Sequence, residues 1–183
     1  MSLIDILLIG VGLSMDAAAV SMTNGMVYKN LNKATYISMP VFFGAFQFIM
    51  PVVGYYAGGL LAALITRYSG IVIFVILGII GGKMIKEGIE DMRENKTCPA
   101  KLMTIKVLFF QAIATSIDAF AVGISFSAAG ISVWTPSAII GVTTAVIVIA
   151  AIFIGRRFGN MLGCRAEILG GVILVVIGVK ALL

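Results

Sequence analysis

Two aspartates stand inside stretches otherwise apolar enough to cross a bilayer, and the seven residues around each nearly repeat. The first motif is Ser14-Met15-Asp16-Ala17-Ala18-Ala19-Val20, and the second is Ser116-Ile117-Asp118-Ala119-Phe120-Ala121-Val122. An aspartate at the centre of a spanning helix costs about 2.5–3.5 kcal/mol on the insertion scale. A chain that accepts this cost twice, at matched positions in its two halves, is expected to use the carboxylates. The direct use is to hold a cation on its way through the membrane. The plainer alternative is a pair of polar contacts between packed helices.

The rest of the sequence supports a membrane setting. Of its 183 residues, 61% are hydrophobic and 11% charged, against roughly 25% charged in soluble domains. The fold class is therefore an all-α integral membrane protein. Spans of about 20 apolar residues fall near 3–25, 36–61, 69–88, 105–128, 136–156 and 166–183. The second contains Pro40 and Pro51. Proline removes a backbone donor, so a break is expected near Pro51. The N-terminus has Asp5 instead of a basic region, so the first span reads as a retained helix and not a cleavable signal.

The basic residues give an orientation. Eleven of the thirteen lie in or beside three connections: Lys29 and Lys33; Lys83, Lys86, Arg93, Lys96, Lys101 and Lys106; Arg156, Arg157 and Arg165. Only Arg67 and Lys180 fall on the other side. The positive-inside rule makes the three connections cytoplasmic and puts both termini outside. This asymmetry accounts for the net charge of +5 without a nucleic-acid partner. Cys98 and Cys164 then face the reducing cytoplasm, and neither has metal-ligand spacing.

The two aspartate motifs align at an offset of 102 residues. At an offset of 97, Gly44 and Gly58 align with Gly141 and Gly155, and Gly81-x-Lys83 with Gly178-x-Lys180. The expected organisation is a three-helix repeat over 1–88, a cytoplasmic linker over 89–104 and a second three-helix repeat over 105–183. Three spans per repeat invert the second copy, a transporter design whose sites lie near the midplane where the repeats meet.

The chain contains no histidine, so a metal site must use carboxylate, amide, hydroxyl, carbonyl or thioether groups. Oxygen-rich sites suit Mg²⁺, Ca²⁺ and Mn²⁺. Met15, beside Asp16, could shift that preference, although membrane methionines usually pack. Two facing carboxylates repel without a cation. Protons and a divalent metal would thus compete for one site, which is the logic of an exchanger. Gln47, four residues before Pro51, is a candidate further donor, or else a hydrogen bond that ties down a kink. Glu167 is a candidate for the cytoplasmic mouth, with an interfacial salt bridge as the alternative. Gln111, Thr115, Asp118 and Ser125 form a polar stripe at helical spacing, and Thr23 shares a face with Asp16. These are candidate pathway-lining residues. Ser14 and Ser116 could cap a break in their helices. Glu87 and Lys83 read as a surface pair, and Tyr55, Tyr56 and Trp134 as an interfacial belt.

Gly-Leu-Ser-Met-Asp-Ala at 12–17, Gly-Gly-Lys-Met-Ile-Lys-Glu-Gly at 81–88, Ala-Thr-Ser-Ile-Asp-Ala at 114–119 and Ala-Glu-Ile-Leu-Gly-Gly at 166–171 resemble the bacterial MntP-type manganese exporters. The resemblance covers essentially the whole chain. It implies a six-span inner-membrane pump that exports Mn²⁺ and guards against manganese excess. It also implies a metal site at Asp16 and Asp118, extending to Gln47 and Glu167. Some members carry glutamate where this chain has Gln47, so the implied donor set here has one negative charge fewer.

The expected function is secondary-active Mn²⁺ export by alternating access. Mn²⁺ is the transported substrate, and no organic cofactor is expected. No phosphate-binding Gly-x-x-x-x-Gly-Lys-Ser/Thr motif occurs, so the drive must be an ion gradient. An inside-negative potential favours uptake of a +2 ion by about 4–5 kcal/mol per 100 mV. Export therefore needs coupling, and proton antiport is the expectation. The rivals are a passive divalent-cation channel and an exporter of a small cationic solute such as a basic amino acid. An enzyme is not expected, because neither histidine nor a serine-based dyad is present.

Overall fold

The computed structural model describes residues 2–28, 33–93, 103–162 and 165–182, without the side chains of 33–34, 58–67 and 160. Cys98, Cys164, Lys29, Lys96 and Lys101 lie outside the described residues. The described chain forms five helices: α1 (Leu3–Val27), α2 (Lys33–Arg93), α3 (Ile105–Ala128), α4 (Trp134–Leu162) and α5 (Arg165–Lys180).

Local chemistry sets the helix ends. At the start of α1, Asp5 N–H donates to Ser2 Oγ at 3.2 Å and Ser2 N–H to Asp5 Oδ2 at 2.8 Å. This reciprocal capping box satisfies two amides that have no helical acceptor. Between α3 and α4 the chain turns through Gly130 at φ +66°, a conformation that favours glycine. Pro136 follows in the first turn of α4, where its missing N–H removes no helical bond.

Five segments are long and apolar enough to cross a membrane: Leu3–Val27, Thr35–Ala57, Tyr68–Arg93, Ile105–Ala128 and Trp134–Gly159. Two of them belong to α2. A straight helix of 61 residues would be about 90 Å long. Yet Thr35 shares a cavity with Thr104, and so does Glu87. The element therefore reverses direction between its two spans. The sixth expected span corresponds to α5, whose 16 residues reach about 24 Å, short of a hydrocarbon core of about 30 Å.

One further expectation is corrected. The helix is not broken at Pro51; α2 stays helical through both prolines. Close packing holds it there, since Pro51 is buried and its carbonyl lies against Gly123 of α3. The helix continues to Arg93, into the stretch over 89–104 expected as a linker. Near the end of α2 Lys83 pairs with Glu87 at 3.7 Å, as the spacing predicted, and Lys86 with Glu90 at 3.9 Å.

Glycines set the packing. In a bilayer helices associate through close packing and polar contacts, and small residues let backbones approach. α1 runs parallel to α4, with Gly10 against Ile140 and Gly25 against Ile152. The first half of α2 runs parallel to α3 and antiparallel to α4. Gly54 lies on Phe120, and the Tyr36–Phe153 and Phe48–Trp134 rings lie 5.6 and 6.5 Å apart. The second half of α2 runs antiparallel to α5, with Gly70 on Ala181 and Gly88 on Ile168. The main core gathers Ala17, Val20, Phe43, Leu77, Leu108 and Leu174. A smaller cluster of Leu13, Phe126, Val133 and Ile140 closes the end nearer Gly130.

A Cβ at Gly123 would lie 2.0 Å from the Pro51 carbonyl oxygen, whereas one at Gly82 would meet open space. Gly123→Ala is expected to lower stability in detergent by about 1–3 kcal/mol, the usual range for overpacking. Gly82→Ala should leave it unchanged. Thermal unfolding of the two variants beside the parent chain checks this.

Candidate metal centre

Asp16 and Asp118 sit mid-helix on α1 and α3, each half-buried, and lie close enough for their charges to act on each other. Asp118 Oδ1 accepts the Ala119 N–H at 2.8 Å. Among the described residues no third acidic or thiol side chain joins them. Any further donors at this point must be neutral oxygens.

Gln47 of α2, the further donor expected from the sequence, is held between the two motifs. It is fully buried, and its Nε2 donates to the Leu13 carbonyl at 3.0 Å and the Thr115 carbonyl at 3.2 Å. Those carbonyls stand three residues before Asp16 and Asp118, at corresponding places in the two motifs. Two acceptors facing the same end of the amide identify that end as the nitrogen. The Oε1 atom is left buried without a hydrogen-bond partner. Pro51 has no N–H, so the Gln47 backbone carbonyl also lacks its usual i+4 donor. Gln47 thus presents a side-chain oxygen whose valence the helices do not fill.

Hydroxyls nearby are turned back into their own helices. Ser14 Oγ donates to the Gly10 carbonyl, and Ser116 Oγ to the Ala112 carbonyl at 2.7 Å. α1 and α3 run unbroken through both serines, so neither caps a break. Back-bonding to i−4 spares a buried hydroxyl from standing unpaired. Thr115 Oγ1 does the same with the Gln111 carbonyl at 3.0 Å. Met15 is 57% exposed, which puts its thioether on the outer surface of the bundle, away from the buried donors.

The other predicted residues separate. Gln111 is fully buried and bonds Asn24 of α1, a residue the sequence reading did not single out. An amide inside an apolar span was the signal available. Thr144 was also missed. It aligns with Gln47 at the 97-residue offset, and its buried hydroxyl donates to the Ile140 carbonyl at 2.9 Å. Thr23 is buried with its hydroxyl unpaired and its methyl group close to Gly170. Ser125 is exposed and bonds the Ala121 carbonyl at 3.1 Å, so the stripe leaves the interior before reaching it. Glu167, 9% exposed in the first turn of α5, lines a cavity of about 480 Å³ with Lys83, Glu87 and Thr104. It stands apart from the aspartate pair.

Carboxylates and amide oxygens are hard donors, of the kind that suits a divalent cation of the Mg²⁺, Ca²⁺ or Mn²⁺ type.

Comparison with known proteins gives the family. The family described as "Putative manganese efflux pump" matches residues 30–182. A protein of that description from Ruminiclostridium cellulolyticum is 47% identical over 180 residues, covering 98% of this chain and 95% of its own length. One from Methanobrevibacter smithii is 42% identical over 182 residues, covering 100% and 97%. One from Bifidobacterium adolescentis is 40% identical over 181 residues, covering 98% and 95%. No solved structure matches the chain. The chain is a multi-pass membrane protein, and it belongs to the MntP family of transporters.

Proposed function

We propose that this protein exports Mn²⁺ by secondary-active alternating access, with proton antiport as the drive. The observation that carries the reading is the Gln47 amide, which bonds the Leu13 and Thr115 carbonyls at once and holds the two aspartate motifs against each other. Asp16 and Asp118 are the charged ligands. Gln47 adds a neutral oxygen, and Thr115 lies on the wall beside it. The carboxylates accept protons when the metal leaves, so each direction of the cycle moves a neutralised site. The printed description of the relatives supplies the metal.

The inverted-repeat arrangement has support in the packing. Gly81 packs on Leu174, and Gly178 packs on Leu77. At the 97-residue offset these are one contact made twice. Gly44 and Gly141, equivalent at the same offset, each touch the other's carbonyl. The proposed halves cross the membrane in opposite senses, with α5 as the sixth span. The basic connections face the cytoplasm, and both termini lie outside. Glu167 and the cavity beside it then form the cytoplasmic approach, with Thr23 and Gln111 on the path inward. Ser125, exposed at the opposite end of α3, is left out of that path.

Reconstituted in liposomes, Asp16→Asn and Asp118→Asn should each lower Mn²⁺ flux by more than about tenfold, since even a lost outer-shell partner costs about 10–100-fold in metal affinity or activity. Undiminished flux in both would refute the paired site. Imposing an opposing pH gradient should drive Mn²⁺ against its own gradient; flux indifferent to pH would indicate a channel. Cys98 and Cys164 should react with a membrane-impermeant thiol reagent only after cells are permeabilised. Labelling in intact cells would reverse the orientation.

A further inference from the structure

The Asn24–Gln111 pair occupies a place that the paired aspartates do not explain. Asn24 Nδ2 donates to Gln111 Oε1 at 2.8 Å, and Gln111 Nε2 to Asn24 Oδ1 at 3.2 Å. Both side chains are fully buried. The bonds join α1 to α3, the two helices that carry the aspartates. Asn24 is eight residues beyond Asp16, and Gln111 seven before Asp118, so the pair lies about 10–12 Å along the helices from the carboxylates. One turn further out are Val27 and Val107. Both line the 480 Å³ cavity that also holds Glu87 and Glu167. Cavity, amide pair and aspartates thus follow one another along the same two helices.

The equivalent position at the other end of the site differs in chemistry. At the 102-residue offset Asn24 corresponds to Phe126, and Gln111 to Ile9. Phe126 belongs to the apolar cluster at that end, and Ile9 packs against the cluster. The Ser14 and Ser116 back-bonds follow the repeat, and Gln47 reaches equivalent carbonyls in the two motifs. The two closures differ in kind: one is a hydrogen-bonded amide pair and the other is hydrocarbon.

We infer that Asn24 and Gln111 form the inner gate of the pathway, a pair of amides that part to pass a divalent cation between the cavity and the aspartates. This rests on the transport reading above. Closed, the amides satisfy each other, which a buried polar pair requires. Open, their carbonyl oxygens face the ion and replace part of its water shell, as hard oxygen donors do for such cations. An apolar closure offers the ion nothing of this kind.

The test is the double variant Asn24→Leu, Gln111→Met, which keeps the approximate shape and removes both amides. Replacing both partners of a buried hydrogen bond by apolar groups of similar shape is close to neutral for folding, so a packing role predicts wild-type flux. The gate predicts that Mn²⁺ flux falls by at least about tenfold, the factor carried by one lost contact to a charged group. Equilibrium Mn²⁺ binding in detergent, where the aspartates can be reached from either side, should remain at the wild-type level. Wild-type flux, or loss of binding together with flux, overturns the gate. Should that variant fail to fold, Asn24→Ser with Gln111→Ser removes the latch and keeps the lining polar. It is expected to let Mn²⁺ run down its gradient without proton coupling, and fully coupled flux at the parent rate would overturn the gate. Wild-type flux in an Asp16→Asn, Asp118→Asn chain would instead sink the transport reading, whatever the amide variants do.

Discussion

Inside a bilayer there is no water to take a hydrogen bond that the protein fails to make. That constraint explains much of what this interior looks like. Ser14, Ser116, Thr115 and Thr144 fold their hydroxyls onto carbonyls of their own helices. Asn24 and Gln111 satisfy each other across helices. Among the described residues Ser21, Thr23, Tyr36, Ser137 and Gln47 depart from this pairing, and Gln47 is the one that also bonds both aspartate motifs. Its nitrogen is used twice and its side-chain oxygen not at all. In the transport reading proposed above, that oxygen is the neutral donor that joins the carboxylates when a cation enters.

The second organising force is backbone proximity. Gly54, Gly123, Gly155 and Gly159 each leave room for a neighbouring helix so close that a Cβ would lie within 2.0–2.3 Å of a carbonyl oxygen. These contacts carry α1 against α4 and α2 against α3, so each aspartate helix leans on a partner from the other half of the chain. The two aspartate motifs meet through this crossed pairing more than through direct packing of α1 on α3.

Much of the architecture was legible in the sequence because hydropathy is a local signal. The spans near 3–25 and 105–128 reappear almost unchanged as Leu3–Val27 and Ile105–Ala128. The repeated motif drew attention to Asp16 and Asp118, which stand mid-helix on α1 and α3. What was misread depends on neighbours. Pro51 suggested a break because proline weakens an isolated helix, but close packing against α3 keeps α2 helical through it. Ser125 continued a helical stripe on paper, but α3 carries it out to the surface. The bond between Asn24 and Gln111 spans 87 positions, and no periodicity within either helix announces it. Glu167, expected at the cytoplasmic mouth and by resemblance in the metal site, lines the cavity with Lys83 and Glu87.

The contact between Gly44 and Gly141 has a mechanical meaning. Each residue meets the other's backbone oxygen, and an apolar cleft of about 360 Å³ opens beside them between Pro40, Val41, Phe48 and Ala138. Interlocked side chains act like gear teeth, because one helix turns past another only by lifting its knobs from the facing holes. Two bare glycines have no teeth at that point. The first half of α2 and α4 therefore touch there as a plain bearing, with clearance on one flank. The rocking of the two halves that the proposed transport cycle requires would meet its least friction at this crossing.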